Sequence, residues 1–400
     1  MHDPHDRTRP LRVGSLFSGY GGLDLAVEHA LDGETIWFSE NNEHVSRIFA
    51  HHWPDAPNLG DITTIDWRTV EPVDVLCGGF PCQDVSTVGK RAGLAPGTRS
   101  GLWSYMAAAI DALQPQLVVI ENVRGLLSSP AVRAPLEGDD DAQSNPGHAT
   151  PGDAALREVE PDPWGLGDLA ARPLRAVGAV LGDLADLRYD TQWIGLPASL
   201  VGAPHPRLRV FILARSRGTV QDAARHGLDS WRRVTGTGEG EAGDDRALAS
   251  DHRPRAKRAG WLAEQEQRTR DAVVPDRGHL RRWGRYARAI ARWEHVTGRI
   301  APALLDRTSG PRPSPEFVEW LMGLPSGRIT DPIHQLTANQ QIAALGNGVL
   351  PLQALSAMRV GALVQADAAS LAGVKHPMVS RGCTVSQEEE GEDEKAGESA

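Results

Sequence analysis

The sequence predicts an α/β fold: a mostly parallel sheet with helices on both faces, and a smaller second domain. Three observations carry this. Strand and helix signals alternate through the first half of the chain. A glycine-rich turn, Phe17-Ser-Gly-Tyr-Gly-Gly22, joins the first strand signal to the first helix signal. After Ser216 the alternation gives way to a stretch rich in Arg, Gly and Trp. Alternating strands and helices bury both faces of a sheet under helical layers, which favours parallel strands.

In order, Arg12–Phe17 reads as a strand, Leu23–Leu31 as a helix, Thr35–Ser39 as a strand and Glu43–His52 as a helix. Val73–Cys77 is a short apolar strand. Leu102, Met106, Ala109, Ile110 and Leu113 recur at helical spacing. Leu117–Ile120 and Arg209–Leu213 complete the strands. Ala338–Leu345 reads as a helix with Gly346 beyond its end, and Pro351 suits the first position of another. Between Ser128 and Arg172 Pro, Gly and Asp accumulate, the mark of an insertion loop.

The charge is unevenly placed. The 400 residues carry a formal net charge of -10, with 40% hydrophobic and 24% charged residues. Acid is concentrated in Glu137–Asp162 and in the tail Glu388–Glu398, both poor in large apolar residues and expected to be solvated and disordered. From Arg253 to Arg307 basic residues outnumber acidic ones by roughly two to one, a local excess that attracts phosphate. No apolar run is long enough for a membrane span, and Met1-His-Asp-Pro-His-Asp6 lacks the apolar core of a secretory signal. A cytoplasmic protein is expected. The three cysteines, Cys77, Cys82 and Cys383, form no metal-ligand doublets, which fits a reducing compartment and one working thiol.

The glycine turn after a strand and before a helix suits a nucleoside cofactor at the carboxyl edge of a sheet; a plain tight turn would read the same in isolation. Glu40 ends the second strand, where a carboxylate can accept from ribose hydroxyls, and Asp61 in Gly60-Asp-Ile-Thr63 can accept from an adenine amine. Their order after the turn raises both above ordinary surface acids. The segment Asp74-Val-Leu-Cys-Gly-Gly-Phe-Pro-Cys-Gln-Asp-Val-Ser86 then places Cys82 just past a buried strand on a rigid turn. A thiol there is exposed enough to react, provided nearby positive charge or N–H donors favour the thiolate. Cys77, inside the strand, reads as structural.

Gly-Gly-Phe-Pro-Cys-Gln with Phe-Ser-Gly-Tyr-Gly-Gly upstream resembles the DNA (cytosine-5) methyltransferase family. Further segments follow in that family's order: Glu121-Asn-Val123, His205-Pro-Arg-Leu-Arg209, Met322-Gly-Leu-Pro325, and Gln341–Val349 followed by Pro351. The likeness covers 11–127, 172–215 and 314–360. Two positions depart from it: Ser15 stands where the family has Asp, and His205 where it has Gln.

The resemblance implies a Rossmann-like class I methyltransferase sheet. It implies a catalytic, S-adenosylmethionine-binding domain over 11–215 with an insertion at 128–171, and a target-recognition domain at 216–314. C-terminal motifs at 315–370 would return to the catalytic domain, ahead of an acidic tail, 371–400. Cys82 would attack C6 of a cytosine flipped out of duplex DNA, turning C5 into a carbon nucleophile. Glu121 would hold N3 and the exocyclic amine, as a donor with its pKa raised by burial, and Arg207 and Arg209 would supply fixed positive charge, one of them toward the base O2 and the thiolate region. Phe80, Pro81, Ser86 and Asn122 would form the base pocket, with Asn122 orienting the loop. S-adenosylmethionine would lie against Phe17, Gly19, Tyr20, Gly22, Glu40, Asp61, Ile62, Asn347 and Val349. The family's chemistry needs no metal, and a monomer acting on duplex DNA is expected. Three settings fit: pairing with a cognate restriction endonuclease at the same site, an orphan enzyme, and a phage enzyme. A tRNA cytosine methyltransferase of the same fold and a non-catalytic DNA-binding relative are the competing readings. The large 216–314 region favours duplex DNA over tRNA.

Spacing alone yields one more expectation. Arg281, Arg285, Arg288 and Arg292 alternate at helical pitch with Trp283, Tyr286, Ile290 and Trp293. One helix with opposed basic and apolar stripes follows, the apolar stripe packed on protein and the arginines facing phosphate. A solvated helix face is the plainer alternative.

Overall fold

The structure, a computed structural model, describes residues 9–81, 101–129, 175–217, 253–270, 278–305 and 312–361. Cys82, Ser86, nearly all of the acidic insertion and the tail lie outside the described residues. All the described residues fall within one compact unit.

Six strands form one sheet: β1 (Leu11–Leu16), β2 (Gly33–Ser39), β3 (Val75–Gly78), β4 (Leu117–Val123), β5 (Tyr189–Pro197) and β6 (Leu208–Ser216), in the order β2-β1-β3-β4-β6-β5. The pairs β1–β2, β1–β3 and β3–β4 are parallel, and β6 runs antiparallel to both β4 and β5. The helices are α1 (Gly22–Leu31), α2 (Glu43–His52), α3 (Leu102–Leu113), α4 (Ala176–Asp186), α5 (Arg253–Arg270), α6 (Ala287–Thr297), α7 (Pro315–Leu321), α8 (Ala338–Asn347) and α9 (351–361). None is long and apolar enough to cross a membrane.

Strand periodicity divides the core. Successive strand side chains point to opposite faces. Val75, Cys77, Leu117, Val119, Phe211 and Leu213 therefore join one cluster with α1 residues Leu23, Ala26 and Val27 and α9 residues Leu352 and Leu355. The alternate residues Leu76, Val118, Ile120, Val210 and Ile212 join a second with Met106 and Ile110 of α3 and Val180 and Leu184 of α4. This is the α/β sheet with helices on both faces that the alternation predicts.

The described part of 216–314 extends the first of these clusters: Leu262, Ile290 and Trp293 belong to it. Glu266 of α5 meets His29 of α1 at 3.6 Å and Arg359 of α9 at 3.0 Å. α4 and β5 are additions to the elements legible in sequence. β5 is an edge strand with an irregular burial pattern and Trp193 49% exposed, so it lacks the clean alternation of a half-buried strand. β4 runs on to Val123, because its ladder with β6 continues to the pair Val123–Arg209.

The single helix expected over 281–293 is corrected. A 3-10 segment, Gly278–Tyr286, precedes α6, and the chain breaks at Gly284 (φ 51°, ψ -125°). The positive φ is available there because glycine carries no Cβ. Arg281, Arg285, Arg288 and Arg292 are nonetheless all exposed, while Ile290 and Trp293 are buried and Trp283 is partly buried. Tyr286 leaves the apolar stripe: it is 52% exposed, with the Arg285 guanidinium 4.9 Å from its ring centre and donating to its hydroxyl at 2.7 Å.

Candidate active site

Two adjoining clefts open at the carboxyl ends of β1–β4, sharing Phe17. The first is lined by Phe17, Gly19, Tyr20, Gly22, Asp24, Gly79, Glu121, Asn347 and Val349 among others. The second is lined by Phe17, Glu40, Asp61, Ile62 and Pro81 among others. All nine residues assigned to the cofactor from sequence therefore line one cleft or the other. Phe17 itself is held at φ 52°, a region that costs a non-glycine residue about 1 kcal/mol or more.

The glycine turn and the C-terminal segment are locked together. The Tyr20 hydroxyl donates to the Val349 carbonyl at 2.5 Å. A Cβ on Gly22 would stand 2.1 Å from that carbonyl oxygen, and one on Gly348 would stand 1.8 Å from the Tyr20 ring. Tyr20 is fully buried, so its side chain packs the cleft wall and burial pushes its hydroxyl pKa up. Arg207 closes the same junction, donating to the carbonyls of Gly346 and Gly348 at 2.8 and 2.6 Å. Its guanidinium thus holds the C-terminal loop.

Across the shared Phe17, Glu40 Oε2 accepts from Gly19 N at 3.1 Å and Oε1 from Asn42 N at 2.9 Å. Burial raises its carboxyl above the usual range against those two bonds. Asp61 is exposed; its Oδ1 accepts from Thr63 N and Oγ1, both at 2.9 Å, which holds its pKa down. An ionised acid at the second cleft and a pinned one at its border suit acceptance from a sugar hydroxyl or an amine. The residues present fit a nucleoside whose other end enters the first cleft. Among the described residues no group of three or more His, Cys, Asp or Glu could hold a metal ion.

Glu121 stands at the end of β4 with 7% of its surface exposed. Arg209 Nε on β6 lies 2.7 Å from its Oε1. Burial raises the Glu121 carboxyl, with Arg209 and then Arg207 pulling it down. A Cβ on Gly79 would stand 3.0 Å from Glu121 Oε2, so the backbone leading to Pro81 passes directly beside this carboxylate. Asn122 holds that backbone, its Nδ2 donating to the Phe80 carbonyl at 3.1 Å and its Oδ1 accepting from Val123 N at 2.8 Å. Phe80, expected beside the base, is 2% exposed, and its ring packs 5.3 Å from that of Trp103. The positions Cys82 and Ser86 lie outside the described residues.

The two departures have definite surroundings. His205 Nε2 lies 3.1 Å from the Leu321 carbonyl, so that nitrogen carries the proton and the ring ties the β5–β6 connection to Met322-Gly-Leu-Pro325. Burial lowers its pKa and keeps it neutral. Ser15 is 1% exposed and hydrogen-bonds Ser18 Oγ at 2.8 Å. Its neighbour Asp24, which sequence reasoning passed over, also lines the first cleft. Its one signal is an acid within the apolar run Leu23-Asp-Leu-Ala-Val27.

The profile of the family described as "C-5 cytosine-specific DNA methylase" matches residues 11–134. The type II methyltransferase M.NgoFVII of Neisseria gonorrhoeae is 38% identical over 120 residues, 30% of this chain and 32% of that protein. The DNA N-6-adenine-methyltransferase of Escherichia phage P1 is 31% identical over 235 residues, 54% of this chain and 30% of that protein. The match thus spans about a third of the length of these relatives. A solved S. pombe Dnmt2 methyltransferase aligns with a TM-score of 0.46 at 14% identity, covering 90% of this chain and 99% of that one. Over residues 11–134, then, the chain is similar to the C-5 cytosine-specific DNA methylases.

Proposed function

We propose that the protein transfers a methyl group from S-adenosylmethionine to C5 of a cytosine in duplex DNA. The observation that carries this reading is the ion pair of buried Glu121 with Arg209, 2.7 Å apart, with Glu121 standing beside the backbone that leads to Pro81 and lining the same cleft as the glycine turn. Cys82 is the nucleophile: its thiolate adds to C6 of a flipped-out base, forming a C–S bond as the C5–C6 π electrons become available at C5. Glu121, in its protonated form, donates to N3, where negative charge develops, and Arg209 holds the carboxyl through Oε1. S-adenosylmethionine, when bound, supplies an electrophilic methyl group. Once C5 carries the methyl, loss of its proton to a base and departure of the thiolate restore the aromatic ring.

Ser86, Pro81 and Asn122 belong to the base side of this site, and Asn122 acts by holding the Phe80 carbonyl. The segment 216–314 reads the target, and the exposed Arg281, Arg285, Arg288 and Arg292 engage phosphate. The protein works in the cytoplasm, as a monomer, alone or alongside an endonuclease of the same specificity.

The test is methyl transfer from labelled S-adenosylmethionine to duplex DNA and to tRNA, followed by base analysis. Label in 5-methylcytosine of DNA is expected, and Cys82→Ser should abolish it while cofactor binding persists. Label in N6-methyladenine or in tRNA alone would overturn the reading.

A further inference from the structure

Asp24 lies in the first turn of α1 and lines the first cleft, yet it is 1% exposed. Cys77 Sγ of β3 donates to its Oδ1 at 3.5 Å, and Ser15 of β1 also hydrogen-bonds the carboxyl. Its second oxygen, Oδ2, is fully covered and has no hydrogen-bond partner among the described residues. The charged neighbour that acts on it within α1 is Glu28, an acid. Facing the cleft from other elements are Tyr20 and, from β4, Glu121, whose own partner is Arg209. Burying an acid without a cationic partner is unfavourable, and a buried acceptor left unpaired costs about 1–3 kcal/mol. Such an arrangement is relieved when a cation enters the cleft.

We propose that Asp24 is the anionic contact for a cationic centre on the amino-acid end of the cofactor. This rests on the S-adenosylmethionine reading above. That ligand carries two cationic centres, the sulfonium and the α-ammonium, and either supplies the missing partner. Glu40 and Asp61 occupy the second cleft, which leaves the first, with Asp24, for the end that must approach Glu121. Ser15 stands where the family has an acid, and Asp24 brings a carboxyl to that same place from the next element.

Burial raises the Asp24 pKa to about 7. Asp24 is therefore a half-protonated acid near neutrality, and a bound cation favours the anion. Affinity for a cationic ligand should then rise with pH and level off above the free pKa.

The experiment is calorimetric titration of the full chain with three ligands: S-adenosylmethionine, S-adenosylhomocysteine, which keeps only the ammonium, and methylthioadenosine, which has neither cation. S-adenosylmethionine affinity should rise about tenfold from about pH 6 to about pH 8, with release of about half a proton at pH 7. Methylthioadenosine should show no rise. A rise shared by S-adenosylhomocysteine assigns the contact to the ammonium, and its absence there assigns it to the sulfonium. Asp24→Asn should bind S-adenosylmethionine more weakly with a flat profile. Ser15→Ala, which removes a bond that favours the anion, should move the midpoint of the rise to higher pH and serves if Asp24→Asn does not fold. A flat wild-type profile, or a rise that survives in Asp24→Asn, overturns the proposal while leaving the methyl-donor reading intact. Failure to bind S-adenosylmethionine at any pH removes both.

Discussion

Arg207 and Arg209 sit at the start of β6 with their guanidinium groups turned into the protein, one on the carbonyls of Gly346 and Gly348 and the other on Glu121. Arg281, Arg285, Arg288 and Arg292 stand exposed, and what packing Arg292 has comes from its aliphatic stem, which lies against Gly202. The same side chain does two kinds of work. A guanidinium in a sheltered site interacts strongly with a few fixed groups, because little water competes. Exposed guanidinium groups act together through a screened field, and each is individually replaceable. Loss of a sheltered, half-buried arginine should therefore damage folding and the site at once, whereas loss of an exposed one should change only how the protein meets a polyanion.

The sharpest attempt to break that contrast is Arg209→Ala. It strands Glu121 in a buried position without its partner, and about 3–5 kcal/mol of stability should go with it, read by urea unfolding. A loss as small as that of a surface substitution would show that the pair is not the buried unit described. Arg207→Ala comes next. Removing two charge-assisted bonds to the 346–348 loop should cost about 2 kcal/mol and weaken cofactor binding, since the loop carries Asn347 and Val349 into the first cleft. Unchanged cofactor affinity would separate the loop from the site. The smallest effect on folding is expected from Arg285→Glu with Arg288→Glu: stability within about 0.5 kcal/mol of the parent. Duplex DNA affinity should fall, and its logarithmic salt dependence should become shallower by about two. An unchanged salt slope would return these arginines to an ordinary solvated face.

The same contrast explains what was legible. The continuous apolar runs of β3 and β4 and the helical spacing of buried residues in α3 are written locally, so their positions follow from residues a few apart. Gly284 defeats that logic: the four arginines keep their spacing, but one backbone torsion interrupts the helix. β5 escapes it too, because an edge strand with exposed Trp193 has little pattern to display.

By itself the sequence determined the alternating sheet-and-helix plan, the glycine turn, the order of Glu40, Asp61 and Glu121 behind it, and the family resemblance of residues 11–134. These are properties of short segments, where residue type and spacing dictate conformation and chemistry. Only the tertiary structure decided that β6 runs against its neighbours, that Arg209 pairs with Glu121 while Arg207 holds a loop, and that Asp24 faces the cleft with an oxygen unpaired. Those outcomes depend on which distant segments become neighbours once the sheet closes. Burial and pairing belong to the packed neighbourhood of a charged group, and its position along the chain does not encode them.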